Sequence, residues 1–267
     1  MSNEAYRIID INIPGGLFGC AMTWILEILP FLKQHNITPE WFIHTEYYGN
    51  LFPHIIKSRK TINNTAIYFD FQFMTLKKQY AFHYKGNFQL AHDMFFEYFE
   101  LPTEIIQSVN KVADTFISKT LGIHYRGTDK FWGESTYISN HDFIENVTSF
   151  LIKNEEFRTI FITSDNYKFI EIFKQRFYNS KYTFIFSDSA KGIDTPIHTS
   201  GNCTNEHAKE AIIDSLILSR CDYVIKTSST LSDWAKIWNP SLEIYNLNTY
   251  NDDCFPQAFI PVTSYCL

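Results

Sequence analysis

The chain has 267 residues, of which 45% are hydrophobic and 17% aromatic, so it can bury the cores of two modest domains. Its formal net charge of −6 excludes a general positive field for nucleic acid, and we expect no nucleic-acid partner. Five scattered cysteines without a Cys-x-x-Cys pair indicate neither a disulfide framework nor a zinc site.

Two features of the N-terminal region bear on the location of the protein. The first residues show no basic segment followed by an apolar one, which is the pattern of a signal peptide. The longest apolar stretch, 24–32, contains Glu27 and Pro30 and is too short to span a bilayer. The sequence therefore predicts a cytoplasmic protein without a membrane span.

The first half opens with a strand, a glycine turn and a helix, which is the beginning of a Rossmann-like unit. Alternating β-branched residues predict a strand over 6–13, and apolar spacing predicts a helix over 17–34 that Pro30 kinks. Gly15 and Gly16 lie between them. They are interpreted as a tight turn or as a place where a ligand approaches the backbone, and we favour the turn.

The rest of the first half continues with strands and a long helical region. Strands are predicted over 41–45 and 66–74. The helical region covers 86–118 and is broken at Leu101-Pro102, with Thr103 as the cap of its second helix. The passage between the two halves of the protein lies in this region.

The second half alternates apolar strands with helices. Strands are predicted near 120–125, 159–163, 182–186, 222–226 and 242–247, and helices near 140–154, 166–178, 205–220 and 230–238. Such alternation predicts a parallel sheet covered on both faces. We therefore predict an α/β fold with two Rossmann-like halves whose mainly parallel sheets face each other across a cleft. The predicted domains are 1–100 and 101–267.

Ionisable side chains follow the strand 120–125, where a parallel sheet presents its chemistry. They are His124, Arg126, Asp129, Lys130 and Glu134. The planar fork of Arg126 suits a phosphate, and His124 and Glu134 are candidate acid–base groups. A solvated, charged turn is the alternative interpretation.

Two other strand ends carry polar residues. Asp165 follows the strand 159–163, where it either caps the next helix or contacts a ligand. Ser228, Ser229 and Thr230 follow the strand 222–226 and place hydroxyl and N–H groups at a helix start. This arrangement is typical of a helix cap and also of an anion site.

Asp214 lies on the apolar face of the helix 205–220, beside Ala211 and Leu218. A carboxylate on a buried face is costly unless hydrogen-bond donors meet it. An arginine of the protein and the N–H or hydroxyl groups of a ligand are the two alternatives, and both stay open.

Taken in order, these segments resemble the fucosyltransferase superfamily of inverting glycosyltransferases with the GT-B fold. The superfamily includes α-1,6, nodulation, α-1,2 and protein O-fucosyltransferases, and its first motif reads roughly His-x-Arg-Arg-x-Asp-Lys followed by an acid. Here the motif is His124-Tyr-Arg126-Gly127-Thr-Asp129-Lys130, with Glu134 as the acid. The similarity covers about residues 119 to 235. Gly127 replaces the second arginine, and extensions found in Golgi relatives are missing, as expected for a bacterial or viral type.

The resemblance implies a role for each matching residue. Arg126 would hold the β-phosphate of GDP-fucose, Asp214 would engage the guanine or ribose, and Ser228, Ser229 and Thr230 would line the diphosphate and nucleoside pocket. Asp165 lies in a second matching segment, 163–166, and would contribute to the nucleotide site, with 101–267 as the nucleotide-sugar domain and 1–100 on the acceptor side. Gly15 and Gly16 lie outside the matching segments and are candidate nucleotide-binding residues from their turn alone. The reaction would need no cofactor beyond the donor substrate.

The chemistry of an inverting transfer agrees with these roles. The leaving diphosphate develops negative charge. Arg126, Lys130 and a helix N-terminus would supply positive groups that stabilise this charge without a metal. The acceptor hydroxyl of a glycan must lose a proton to Glu134 or His124. The alternatives are a transferase for another nucleotide sugar, a non-catalytic nucleotide- or glycan-binding relative, and another Rossmann-like enzyme such as a methyltransferase or dehydrogenase.

Overall fold

A computed structural model describes residues 17–34, 36, 38, 40–41, 43–60, 87–128, 135–192 and 203–248 of the chain. The elements of these residues, in chain order, are α1 (Thr23–Gln34), β1 (His44–Thr45), β2 (Gly49–Asn50), β3 (Lys57–Ser58), α2 (Phe88–Tyr98), β4 (Phe99–Glu100), α3 (Thr103–Ala113), β5 (Lys119–Tyr125), α4 (Asn140–Lys153), β6 (Phe157–Ser164), α5 (Tyr167–Arg176), β7 (Thr183–Phe186), α6 (Asn205–Leu218), β8 (Tyr223–Lys226), α7 (Thr230–Trp238) and β9 (Glu243–Asn246).

A five-stranded parallel sheet organises the second half, with strand order β7-β6-β5-β8-β9. Every strand and helix predicted for this half is present, with small shifts at the ends. The predicted α/β fold is confirmed. Because the strands are parallel and β5 lies at the centre, the carboxyl ends of β5, β6 and β8 meet at one edge of the sheet.

Helices cover both faces of this sheet, as its continuously apolar strands require. On one face Ile123 packs with Phe143 of α4 and Phe169 of α5. On the other face Phe161 belongs to a larger core that includes Trp234 of α7. Burying each of these large side chains stabilises the fold by about 1.5–3 kcal/mol.

Gly122 permits the close packing of α6 against the centre of the sheet. A Cβ atom at this position would lie 3.0 Å from Cys221 Sγ and equally close to side-chain carbons of Leu218 and Val224. The carboxyl end of α6 therefore sits directly on β5, and this contact fixes where the remainder of α6 passes over the sheet.

The first half packs its helices against α7 of the second. A π-helical segment, Leu17–Met22, leads into α1, which contains Pro30. The rings of Phe18 and Phe95 lie 5.9 and 5.8 Å from that of Trp234. Within the described residues, no helix combines the length and the apolar character needed to cross a bilayer.

Some predictions for the first half need correction, and others lie outside the described residues. Pro102, and not Thr103, occupies the cap position of α3, so Thr103 is the first helical residue and α3 has no side-chain cap. The strand predicted over 41–45 is limited to β1, which forms an antiparallel pair with β2. The predicted strands 6–13 and 66–74 lie outside the described residues. The division into domains 1–100 and 101–267 stays a prediction.

Candidate active site

A cleft opens at the carboxyl edge of the parallel sheet. Four of the predicted site residues line it, namely His124, Arg126, Asp165 and Asp214. The walls also contain residues that the sequence analysis did not identify, among them Tyr48, Ser189, Ala190, Cys203, His207, Glu210 and Leu231. They come from the β1–β2 turn, the loop after β7, the residues just before α6, α6 itself and the start of α7. Only the folded chain brings these segments together.

Asp165 holds the side chain of Arg126 and the loop behind it. Its Oδ2 lies 3.1 Å from Arg126 Nε and also accepts a hydrogen bond from the Thr128 hydroxyl. Its Oδ1 accepts the N–H of Gly127 at 3.0 Å. The Arg126 N–H donates to Thr227 Oγ1 at 2.8 Å. Both side chains of the ion pair are less than one-fifth exposed, so the guanidinium plane is fixed in direction.

The position of Gly127 admits no side chain. A Cβ atom there would lie 2.5 Å from a ring carbon of Tyr125 and 2.9 Å from Asn166 Nδ2. The Tyr125 ring is itself held by stacking on Phe169, with centroids 4.3 Å apart. The glycine that replaces the second arginine of the superfamily motif is therefore required by the packing of this chain.

Asp214 is buried, with 5% of its surface exposed, inside a ring of hydroxyl groups. Its Oδ2 accepts hydrogen bonds from Thr163 at 2.6 Å, from Ser187 at 2.8 Å and from Ser189 at 2.8 Å. Its Oδ1 accepts only from Ser187, at 2.7 Å, among the described residues. An arginine partner, one of the two alternatives that the sequence left open, is not found among the described residues. Hydroxyls of the protein take its place, and Oδ1 keeps capacity for another donor.

Burial raises the pKa of Asp214, because desolvation disfavours the carboxylate, while the three hydroxyl groups and the charge of Lys191 act in the opposite direction. Lys191 Nζ donates to the carbonyl oxygens of Ser187 and Ser189 at 2.7 and 2.6 Å. The lysine thus holds the loop whose hydroxyls surround the carboxylate.

His124 is 2% exposed and lies on β5 beside Lys226 of β8. Lys226 forms a buried ion pair with Asp233 of α7. The Nδ1 atom of His124 lies 2.8 Å from the Ser232 hydroxyl. Burial lowers the pKa of His124 well below its usual value, and the charges of Lys226 and Arg126 lower it further, so the ring is neutral at neutral pH.

The hydroxyl-rich loop after β8 makes its hydrogen bonds within the protein. The N–H of Ser228 donates to Asn248 Oδ1 at 2.6 Å, and its hydroxyl also donates to Asn248. Ser229 occupies the cap position of α7 without a side-chain cap bond, and Thr230 is the first residue of that helix. None of these three residues is among those that line the cleft, whereas the adjacent Leu231 is.

Other predicted residues lie outside the described part of the chain. They are Glu134 and Lys130 of the catalytic set, Asp129, and the two glycines Gly15 and Gly16. Within the described residues, no group of three or more His, Cys, Asp or Glu side chains is arranged to hold a metal ion.

The neutral, buried state of His124 predicts a dependence of stability on pH. The unfolded chain takes up a proton on His124 near pH 6.5, whereas the folded protein resists it until a much lower pH. The contribution of His124 to the free energy of unfolding is therefore complete above about pH 6.5. It is lost as the pH falls towards the pKa of His124 in the folded protein. We expect the difference in free energy of unfolding between the parent protein and His124→Gln to change by up to about 1.4 kcal/mol per pH unit in that window.

Urea unfolding of both proteins between about pH 7.5 and pH 5 measures this difference. His141→Gln is the control substitution, because the side chain of His141 lies at the surface and is 82% exposed. Parallel stability curves for the parent protein and His124→Gln would contradict the assignment.

The fold of the chain is similar to that of solved fucosyltransferase structures. The fucosyltransferase NodZ from Bradyrhizobium aligns with a TM-score of 0.57 and 14% identity, over 94% of this chain and 100% of that one. A NodZ α-1,6-fucosyltransferase soaked with GDP-fucose aligns with a TM-score of 0.52 and 13% identity, over 92% and 99% of the two chains. A NodZ structure co-crystallised with GDP gives a TM-score of 0.52 and 14% identity, over 88% and 92%.

No family model and no curated protein sequence matches the chain. The similarity therefore stands on the three-dimensional alignment, which extends over nearly the whole chain. The fold implied by the sequence resemblance is confirmed, and the chain has the GT-B fold of these fucosyltransferases.

Proposed function

We propose that the protein is an inverting glycosyltransferase that transfers fucose from GDP-fucose to a hydroxyl group of a glycan without a metal ion. The observation that carries this proposal is that one cleft contains both the fixed guanidinium of Arg126 and the buried carboxylate of Asp214. Arg126 suits the diphosphate, and Asp214 suits N–H or hydroxyl groups of the nucleoside. The fold shared with NodZ, which was solved with GDP-fucose and with GDP, supports the same ligand.

The open acceptor atom of Asp214 favours guanine over other bases. Guanine carries adjacent N–H groups on one edge, and either of them can donate to a carboxylate oxygen that has a lone pair available. The Oδ1 atom of Asp214 accepts only the Ser187 hydroxyl within the described residues, so it can receive one of these groups. Another nucleotide sugar remains the alternative donor, and the response of the protein to different nucleotides distinguishes the two.

The transfer step follows from the chemistry of the donor. The oxygen of the acceptor hydroxyl forms a bond to the anomeric carbon, the bond from that carbon to the phosphate oxygen breaks, and GDP leaves with the electron pair. Arg126 stabilises the charge that develops on the diphosphate, and Lys130 is assigned the same role. The acceptor proton passes to a base. Charge stabilisation by fixed cations is the reason that no metal is required.

The environment of His124 supports Glu134 as the base. An effective general base has a pKa near the working pH, and burial beside Lys226 and Arg126 moves the pKa of His124 far below it. Protonation of His124 during the reaction would also place a third positive charge among buried groups. We therefore assign the base to Glu134 and an uncharged, ligand-contacting role to His124.

A first prediction tests the nucleotide and the metal together. Isothermal titration calorimetry in EDTA should show GDP binding, because Arg126 and the protein's other fixed positive groups supply the positive charge. GDP should bind more tightly than ADP or UDP, and at about 100 times its dissociation constant it should stabilise the fold by about 2.7 kcal/mol. Binding that appears only after addition of Mg²⁺ or Mn²⁺ would overturn the metal-free mechanism, and preference for UDP would overturn the donor.

A second prediction concerns the guanidinium. Arg126→Ala should weaken GDP binding by about 1.5–3 kcal/mol, because it removes a charged hydrogen-bond partner of the phosphate. Arg126→Lys should recover only part of this loss, since an ammonium group lacks the planar fork. Arg176→Ala serves as the control, because Arg176 pairs with Glu145 on the surface, where both side chains are nearly half exposed. Parental GDP affinity in Arg126→Ala would remove the diphosphate assignment.

A third prediction separates ligand binding by Asp214 from a structural role. Asp214→Asn should lower GDP affinity about tenfold with little change in melting temperature, because burial already disfavours the charged carboxylate in the empty protein. Asp222→Asn is the matched control, since Asp222 accepts the Thr120 N–H at the opposite end of the sheet. A large loss of melting temperature with unchanged GDP affinity would show that Asp214 only supports the fold.

A fourth prediction concerns the base. Glu134→Gln should keep GDP affinity near the parental value and lower the rate of fucose transfer by about 10² or more. His124→Gln should instead weaken GDP binding and reduce transfer in proportion. Turnover and donor affinity, measured for both variants, decide between the residues. A fully active Glu134→Gln beside an inactive His124→Gln would transfer the role to the histidine.

A further inference from the structure

A short chain of buried hydrogen bonds links His124 to the first turn of α7. The Nδ1 atom of His124 lies 2.8 Å from Ser232 Oγ, and Ser232 Oγ lies 3.1 Å from the carbonyl oxygen of Ser229. His124 is 2% exposed and Ser232 is fully buried, so protein groups have to satisfy both side chains. The direction of each hydrogen bond in this chain can therefore be worked out from the groups that are present.

The carbonyl oxygen determines where the protons lie. A carbonyl only accepts, and the Ser232 hydroxyl has a single hydrogen, which points to Ser229. Ser232 Oγ then has to accept from His124, so Nδ1 carries the proton. The reverse arrangement would leave two oxygen atoms 3.1 Å apart in a buried place with no hydrogen between them. In the neutral ring, Nε2 is consequently the unprotonated nitrogen.

We propose that Ser232 is a positioning residue that holds His124 in the Nδ1–H tautomer, so that Nε2 presents a lone pair to the cleft. Within the described residues Nε2 has no hydrogen-bond partner, and His124 lines the cleft. The ligand group that it fits is an N–H or O–H donor. In the bound state this donor belongs to the nucleotide, and that part of the inference rests on the proposed function.

The buried ion pair behind His124 explains why Ser232 stays in place. Lys226 is the β8 neighbour of His124 in the sheet register, and it pairs with Asp233, the residue after Ser232. The N–H of Asp233 donates to the Ser229 carbonyl at 3.1 Å. The ion pair thus fixes the first turn of α7, which carries Ser232, to strand β8, which lies beside His124. The fold therefore sets the distance between His124 Nδ1 and Ser232 Oγ.

Nuclear magnetic resonance of the protein labelled with ¹⁵N-histidine tests the tautomer directly. Nine histidines contribute signals, and those of His124 are assigned by their absence in His124→Gln. Long-range proton–nitrogen correlations distinguish a protonated ring nitrogen from an unprotonated one. We expect Nδ1 of His124 to be protonated in the ligand-free parent protein. A spectrum with the proton on Nε2 would overturn the proposal without reference to any activity.

Substitution of the serine tests its positioning role. Ser232→Ala removes the acceptor of Nδ1–H, so the His124 signals should shift towards the other tautomer or a mixture, and GDP affinity should fall about five- to tenfold. Ser215→Ala is the matched control. Ser215 is also fully buried, and its hydroxyl accepts Trp238 Nε1–H at 2.9 Å and donates to the Leu231 carbonyl at 2.7 Å, without a hydrogen bond to His124 or Ser232.

Ser215→Ala should leave the His124 tautomer and GDP affinity unchanged, although it loses a hydroxyl of the same kind. Ser232→Cys, which keeps the size but weakens the acceptor, should fall between the parent and Ser232→Ala. An unchanged His124 spectrum in Ser232→Ala would overturn the positioning role. Failure of the parent protein to bind GDP would contradict the proposed function, and the spectra would still decide the tautomer.

Discussion

The site depends on the parallel pairing of β5 with β6 on one side and β8 on the other. This pairing places His124 level with Thr163 and with Lys226, so the three strands end together at one edge. The residues that follow, Arg126 and Asp165, then meet across the gap between β5 and β6. An antiparallel arrangement would send these residues to opposite edges, and no cleft of this composition would form.

Several ionisable side chains with little exposure lie at this edge of the sheet, and each is stabilised in a different way. Arg126 and Lys226 are each paired with an aspartate, because an isolated buried cation would be strongly destabilising. Asp214 has neutral hydroxyls in place of a cation, which keeps the carboxylate in position without cancelling its charge. His124 remains uncharged because burial lowers its pKa, so it needs no ion-pair partner. Among the described residues, the cleft therefore offers the directed cation of Arg126 and hydrogen-bond acceptors on Asp214 and His124, and the proposed nucleotide site rests on this pattern.

The sequence was sufficient for the parts of the fold that depend on local periodicity. Apolar runs located the parallel strands, and charged residues just beyond them located His124, Arg126 and Asp165. The helical stripe identified Asp214 as buried and left an arginine or a ligand as its partner, but it did not indicate the hydroxyl groups that surround the carboxylate. Its donors come from β6 and from the loop after β7, and contacts between distant segments leave no periodic signal. Tyr48 was missed for the same reason, since only the folded β1–β2 turn brings it to the cleft.

The packing around Gly127 explains how a single arginine at this motif is compatible with the fold. The space that a second side chain would need is occupied by the Tyr125 ring, which stacks on Phe169 and donates a hydrogen bond to the Ile138 carbonyl. Introducing an arginine at 127 would displace that ring before it reached a phosphate. Of the two arginines in the superfamily motif, only Arg126 is therefore present in this chain. The direction of its guanidinium matters more for a phosphate contact than it would if a second guanidinium lay beside it. The three hydrogen bonds that Asp165 accepts from the β5 loop provide that direction.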